Sequence, residues 1–137
     1  MQDITYMNLN DDIEKKLFKK YDWIYKYNCI PKHKGCYNIA AVIGEEVVGC
    51  ATLGPQKWTP PLDMYCDVFI HWIEVDEPFR RQGIGRHLVS MLENWAKENG
   101  YRQIRAWSNE KAVEALHMWY ALDYATVRLN TSPSLTL

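Results

Sequence analysis

The sequence predicts an α/β (α+β) domain built round one mixed sheet. Three observations carry that expectation. Strand-like and helix-like runs alternate along the chain, the pattern of helices covering a sheet. Residues 65–75 form a strand-like run that is largely apolar on both faces, as in a central strand covered on both sides. Directly after it, Ile84, Leu88, Met91, Leu92, Trp95 and Ala96 recur at helical spacing. The 137 residues suit a single domain spanning 1–137.

The elements follow in order. Ile13, Leu17, Tyr21 and Ile24 fall on one helical face, which predicts a helix over residues 12–27. Asp11 and Glu14 read as its capping box, and Lys15, Lys16, Lys19 and Lys20 as its solvated face. Pro31 and Gly35 mark a loop. Two β-rich runs, 37–43 and 47–53, separated by Gly44, Glu45 and Glu46, read as a hairpin that ends at Gly54 and Pro55. A loop with Trp58, Pro60 and Pro61 leads to the long strand. With period two, Phe69, His71, Ile73 and Val75 share one face of that strand; Val68, Ile70, Trp72 and Glu74 share the other. The helix after it stops at Asn99 and Gly100. Residues 102–107 read as a short strand, and Ser108 or Asn109 as the cap of a helix carrying Ala112, Val113, Leu116, Trp119 and Tyr120. Residues 124–129 read as a last strand.

Composition excludes several classes of function. Lys and Arg number 16 against 17 Asp and Glu, so the excess charge of a nucleic-acid binder is missing. No run reaches the roughly 18 apolar residues of a membrane span. The first residues show no basic region followed by an apolar run, so a cytoplasmic location is expected. Cys29, Cys36, Cys50 and Cys66 form no Cys-x-x-Cys pair and fit no common zinc spacing, so no metal is expected and the thiols read as structural.

The chemistry is concentrated between Ile73 and Arg86. A buried strand ends at Val75, and Gly83, Ile84 and Gly85 then open a helix. Glycine permits unusual backbone angles and close approach, and the unpaired N–H groups of a helix's first turn attract an anion. Arg80, Arg81 and Arg86 add positive charge there. These features point to a phosphate site. A P-loop is excluded because Gly-Lys-Ser/Thr is absent, and a dinucleotide fingerprint because Leu88 stands where its third glycine belongs.

The run Arg80-Arg81-Gln82-Gly83-Ile84-Gly85 resembles the Arg/Gln-x-x-Gly-x-Gly/Ala motif of the GNAT superfamily of acyl-CoA-dependent N-acyltransferases. The resemblance implies a mixed, mostly antiparallel sheet flanked by helices, with strands splayed round acetyl-CoA as co-substrate. Backbone groups of Ile73, Glu74 and Val75 would pair with the pantetheine arm. Arg80, Arg81, Gln82, Gly83, Ile84, Gly85 and Arg86 would form the pyrophosphate site.

The reaction so implied is acetyl transfer to a primary amine of a small molecule or peptide. His71 is the first candidate base, since histidine titrates near neutrality and some family members have a histidine at this place; the other reading is a sheet histidine with satisfied nitrogens. Glu74, acting through water, is the second candidate. Aligned on Leu122 and Tyr124, Trp119 falls where the family often has an acid tyrosine, and Asp123 where it has glycine. Trp cannot deliver a proton to a thiolate. Tyr120 is therefore the candidate acid; otherwise water serves, or the chain is an inactive acyl-CoA-binding module. In this family the acceptor side would draw on Trp23, Tyr25, Tyr27, Trp58 and Tyr65, and on Asp63, Asp67, Glu74, Asp76 and Glu77, which suits a cationic amine. The chain after Tyr124 is short for the family, so the last strand is abbreviated or completed by a second copy in a homodimer.

Overall fold

The computed structural model describes residues 3–21, 30, 35–56, 60–61, 67–106 and 113–124. They fall into two units, Met1–Trp107 and Ser108–Leu137. In the first unit, β1 (Ile4–Asn8) is followed by α1 (Asp11–Lys20), β2 (Tyr37–Ile43), β3 (Glu46–Gln56) and β4 (Asp67–Val75). A 3-10 turn (Glu77–Phe79), α2 (Ile84–Glu98) and β5 (Gln103–Ala106) complete it. The strands form one sheet in the order β1-β2-β3-β4-β5. The first four are antiparallel and β5 runs parallel to β4. The expected mixed, mostly antiparallel sheet flanked by helices is therefore present.

Several boundaries differ from expectation. β1 was not anticipated: five residues offer too short an alternation to stand out, and pairing with β2 supplies what local pattern lacks. The cap of α1 is Asn10, not Asp11; its side chain accepts the Ile13 N–H at 2.9 Å. This helix ends at Lys20, ahead of the predicted end. β3 continues through Gly54 and Pro55 to Gln56, because Asp67 and Val68 of β4 are there to pair with it. Predicted features at Ile24, Ser108, Asn109 and residues 125–129 lie outside the described residues.

Each face of the sheet is covered. On one, Ile13 and Leu17 of α1 pack with Ala40, Val42, Val47, Cys50 and Trp72. On the other, α2 packs against β2, β3 and β4. Its Ile84, Leu88, Val89 and Leu92 are fully buried, each side chain stabilising by about 1.5–3 kcal/mol. Gly49 of β3 allows that approach: a Cβ there would sit 3.4 Å from methyl carbons of both Ile84 and Leu88. Farther along α2, Trp95 stacks on Tyr37 at 5.3 Å.

The second unit contains α3 (Val113–Ala121). Its end is a Schellman motif. The Tyr124 N–H donates to the Trp119 carbonyl at 3.0 Å, and the Asp123 N–H to that of Tyr120 at 3.1 Å. Asp123 supplies the left-handed residue at φ 62° that glycine usually fills. The Trp119 and Tyr124 rings pack 4.8 Å apart, giving the apolar contact that accompanies this cap.

Candidate active site

The site is built where the pairing of β4 changes. β5 pairs with Asp67–Ile70 only, and His71–Val75 have no β5 partner in the register. Trp72–Val75 keep β3 on one side, while His71 falls out of that register too. Among the described residues, no strand pairs with Ile73 or Val75 on the other edge.

The phase of the ladder decides which groups face outward. Asp76 N–H donates to the Val48 carbonyl at 2.8 Å, so in an antiparallel pair Glu74 also turns its backbone to β3, opposite Cys50. Ile73 and Val75 turn theirs to the open edge. This corrects the expected set: the Glu74 backbone is committed to β3, while Ile73 and Val75 remain placed for an extended ligand.

A bulge re-aims the side chains. Thr52 pairs with Trp72 and Leu53 with Ile70, leaving His71 as the extra residue. A Cβ on Gly54 would lie 3.1 Å from His71 Nε2 and 3.1 Å from Cys36 Sγ, so His71 projects over Gly54. Gly54 shares a face with Thr52, two residues before it, and hence with Trp72 and the α1 side. His71 and Trp72 therefore point the same way. Strict alternation placed His71 with Ile73 and Val75; the bulge places it with Glu74 instead. His71 is exposed, and its ring meets Phe69 edge-on at 5.5 Å.

The acids of β4, and Asp76 directly after it, have cationic partners. Asp67 is buried and paired with Arg105 at 3.1 Å. Glu74 Oε1 receives Arg80 Nη2 at 3.1 Å. Asp76 accepts from the Tyr21 hydroxyl and the Lys20 ammonium. Burial pushes the Glu74 carboxyl above its usual range; the opposing pull of Arg80 is smaller. Burial first, then the hydrogen bond and charge of Asp76, hold the Tyr21 phenol protonated well above its ordinary range.

The loop after β4 has the geometry of an anion site. Arg81 and Gly83 adopt left-handed angles, φ 65° and 86°. Gly83 caps α2, and the first helical bond runs from the His87 N–H to its carbonyl at 3.0 Å. The N–H groups of Ile84, Gly85 and Arg86 thus precede the helical ladder. A Cβ on Gly83 would meet nothing within 4 Å, so the approach is open. Arg81, Gln82 and Arg86 are exposed around it, and buried Ile84 anchors the helix start. These residues fit a pyrophosphate. Arg80 departs from expectation, since its guanidinium turns back toward Glu74 and Val75.

Tyr120 lies in the second unit, 59% exposed, while Trp119 is 5% exposed and engaged in the helix cap. Trp23, Tyr25, Tyr27, Trp58, Tyr65 and Asp63 lie outside the described residues, as do Cys29 and Cys66. Sequence reasoning missed Gly54, Tyr21 and the inward turn of Arg80. Only the Gly54-Pro55 pair left a local signal, and it reads as a strand end. A shallow groove lined by Lys16, Lys20, Ile43, Glu45, Glu46 and Val47 lies between α1 and the β2–β3 turn and holds none of the predicted site residues. Among the described residues there is no cluster fit for a metal, and no helix is long and apolar enough to cross a membrane.

The sequence profile of the Acetyltransferase (GNAT) family matches residues 4–124. No curated protein sequence matches the chain. Solved structures do. Aminoglycoside N-acetyltransferase AAC(6')-Iy in complex with CoA superposes with a TM-score of 0.76 at 17% identity, covering 95% of this chain and 97% of that one. A transcriptional regulator from Bacillus halodurans C-125 gives 0.75 at 20% identity, covering 95% and 98%. The aminoglycoside acetyltransferase meta-AAC0020, from an uncultured soil metagenomic sample and in complex with sisomicin, gives 0.72 at 18% identity, covering 98% and 95%.

Proposed function

The chain belongs to the GNAT acetyltransferase family, and from that premise we propose that it moves the acetyl group of acetyl-CoA to a primary amine of a small molecule or peptide. One observation carries the reading: the half-paired end of β4 runs directly into a glycine-capped helix N-terminus. An extended arm along Ile73 and Val75 would end with its pyrophosphate on the N–H groups from Arg81 to Arg86.

Acetyl-CoA, when bound, supplies the acetyl group as an activated thioester. The residues of the chain hold it, shield it and manage one proton. His71, aimed by the bulge to the α1 face, takes the proton from the attacking amine. Glu74 lies on that same face, and its raised carboxyl pKa suits a second base acting through water. The departing thiolate takes a proton from Tyr120 or from water.

The aminoglycoside acetyltransferases among the similar structures support a small-molecule amine as acceptor. A preference for cations has less support from β4 and the residue after it, because Asp67, Glu74 and Asp76 are already paired with Arg105, Arg80 and Lys20. A second reading, an acyl-CoA-binding module without transfer, is favoured by the commitment of Trp119 to a helix cap. Thiol release from acetyl-CoA across a panel of amines separates the two. Release with at least one amine, lost in His71→Ala, supports transfer. A thermal shift with CoA but no release on any amine supports the binding module.

A further inference from the structure

Arg80 stands beside an anion loop yet directs its charge elsewhere. Its Nε–H donates to the Val75 carbonyl at 2.8 Å, and Nη2 donates to Glu74 at 3.1 Å. The Val75 carbonyl is one of the backbone groups on the open edge of β4. A chain laid along that edge would find the N–H and carbonyl of Ile73 and the N–H of Val75, and then a carbonyl already occupied. Resting on the acyl-CoA reading above, we propose that Arg80 is a positioning residue that ends the backbone ladder open to the pantetheine arm at Val75 and, with the same guanidinium, fixes the Glu74 carboxylate on the α1 face.

The geometry suits arginine in particular. A planar guanidinium can serve a carbonyl and a carboxylate at once, whereas a lysine ammonium is a single point of charge. The two groups it joins belong to different parts of the chemistry. Val75 carries an outward backbone group of the cofactor edge, and Glu74 points to the side where His71 sits. The link also closes residues 75–80 into a side-chain-braced turn, which holds the loop that follows at a fixed angle to the strand. The described charged and titratable groups on the Glu74 side are Arg80, Asp76, the Tyr21 phenol at the end of α1, and His71 farther along the same face. Lys20 pairs with Asp76, and among the described residues Arg80 is the cation seated on Glu74 itself.

The test uses the full chain and CoA alone, so that it needs no acceptor. The Glu74 carboxyl is followed by carbon NMR through a pH titration, and CoA affinity by calorimetry. Arg80→Met removes the charge and the donors and is expected to move the Glu74 titration to higher pH and to weaken CoA binding about tenfold. Arg80→Lys is expected to restore part of the titration shift and little of the affinity. In a Glu74→Gln background, Arg80→Met should still weaken CoA binding, because the Val75 carbonyl is uncapped there too. An unmoved Glu74 titration, or unchanged CoA affinity in Arg80→Met, overturns the proposal. Failure of the unaltered chain to bind CoA overturns the acyl-CoA reading and the cofactor half of this one, while the titration still decides whether Arg80 controls Glu74.

Discussion

Asp67–Ile70 and His71–Val75 are consecutive pieces of one strand, yet among the described residues the first has strand partners on both sides and the second, from Trp72 on, only β3. The first piece is sealed: Val68 and Ile70 are buried, and Asp67 is buried against Arg105. The second carries a bulge, an exposed histidine and a half-exposed glutamate. Their compositions are similar, each mixing apolar residues with an acid. What separates them is where β5 stops. Among the described residues no strand continues along Ile73 and Val75, and a strand edge left open in this way is a binding surface for an extended ligand.

Mutation should split the two halves by observable. His71→Ala is expected to lower kcat by about 10²–10⁴-fold, the usual contribution of a general base, with the melting temperature nearly unchanged because the side chain is exposed. Ile70→Ala, one residue earlier, should cost about 2–5 kcal/mol of stability, measured by denaturant unfolding, with kcat of the folded fraction retained. A large stability loss in His71→Ala, or lost turnover in stable Ile70→Ala, would erase the functional boundary between the halves.

Backbone substitution sharpens the same boundary. Proline is tolerated on strands only where its missing N–H faces away from the ladder. Ile73→Pro deletes an outward N–H, so the chain should still fold while CoA affinity falls about tenfold by calorimetry, the worth of one hydrogen bond. Loss of folding in Ile73→Pro would show that the outer edge is already paired.

How far the sequence alone reaches differs between these regions. Tyr65 to Val75 reads as a central strand, and Gly83-Ile84-Gly85 as the opening of α2, because burial and helix entry leave local patterns. The facing of His71 was not legible, since a bulge depends on how β3 and β4 register and not on either strand alone. The same holds for Asn10 as the cap of α1: Asp11 offers an equally good local signal, and only the observed Ile13 N–H bond separates them. In α3, the glycine-like role of Asp123 follows from its position, but its left-handed angle appears only in the structure.

Gly54 tests the bulge from the neighbouring strand. A methyl group there would press at 3.1 Å on both His71 Nε2 and Cys36 Sγ, so one of them must move by a few tenths of an ångström. Gly54→Ala should therefore lower kcat by less than the hundredfold that a full ångström of misplacement can cost. The expected pattern is a kcat loss with CoA affinity retained, because the open edge of β4 is untouched. Equal losses in both would mean that His71 and the cofactor edge do not separate.

The smallest expected effect is on stability against pH, and it distinguishes the open half from its anchor on α1. Glu74 holds its proton to higher pH in the folded chain than its ordinary value of 4.5. The folded state then binds more protons than the unfolded one, so stability from this group is complete below pH 4.5 and is lost as pH rises through the folded value. Glu74→Gln should flatten that decline in a series of thermal melts. Tyr21 acts with the same sign in a different window: its phenol stays protonated above the ordinary value of 10.0, so its contribution declines only in alkali. Tyr21→Phe should leave the acid limb unchanged and flatten the alkaline one. Both groups are partly exposed, so solvent screening keeps each change modest. A Tyr21→Phe variant that also altered the acid limb would mean that Tyr21, through Asp76, helps to set the ionisation of Glu74, and the open half of β4 would then extend its electrostatics onto α1.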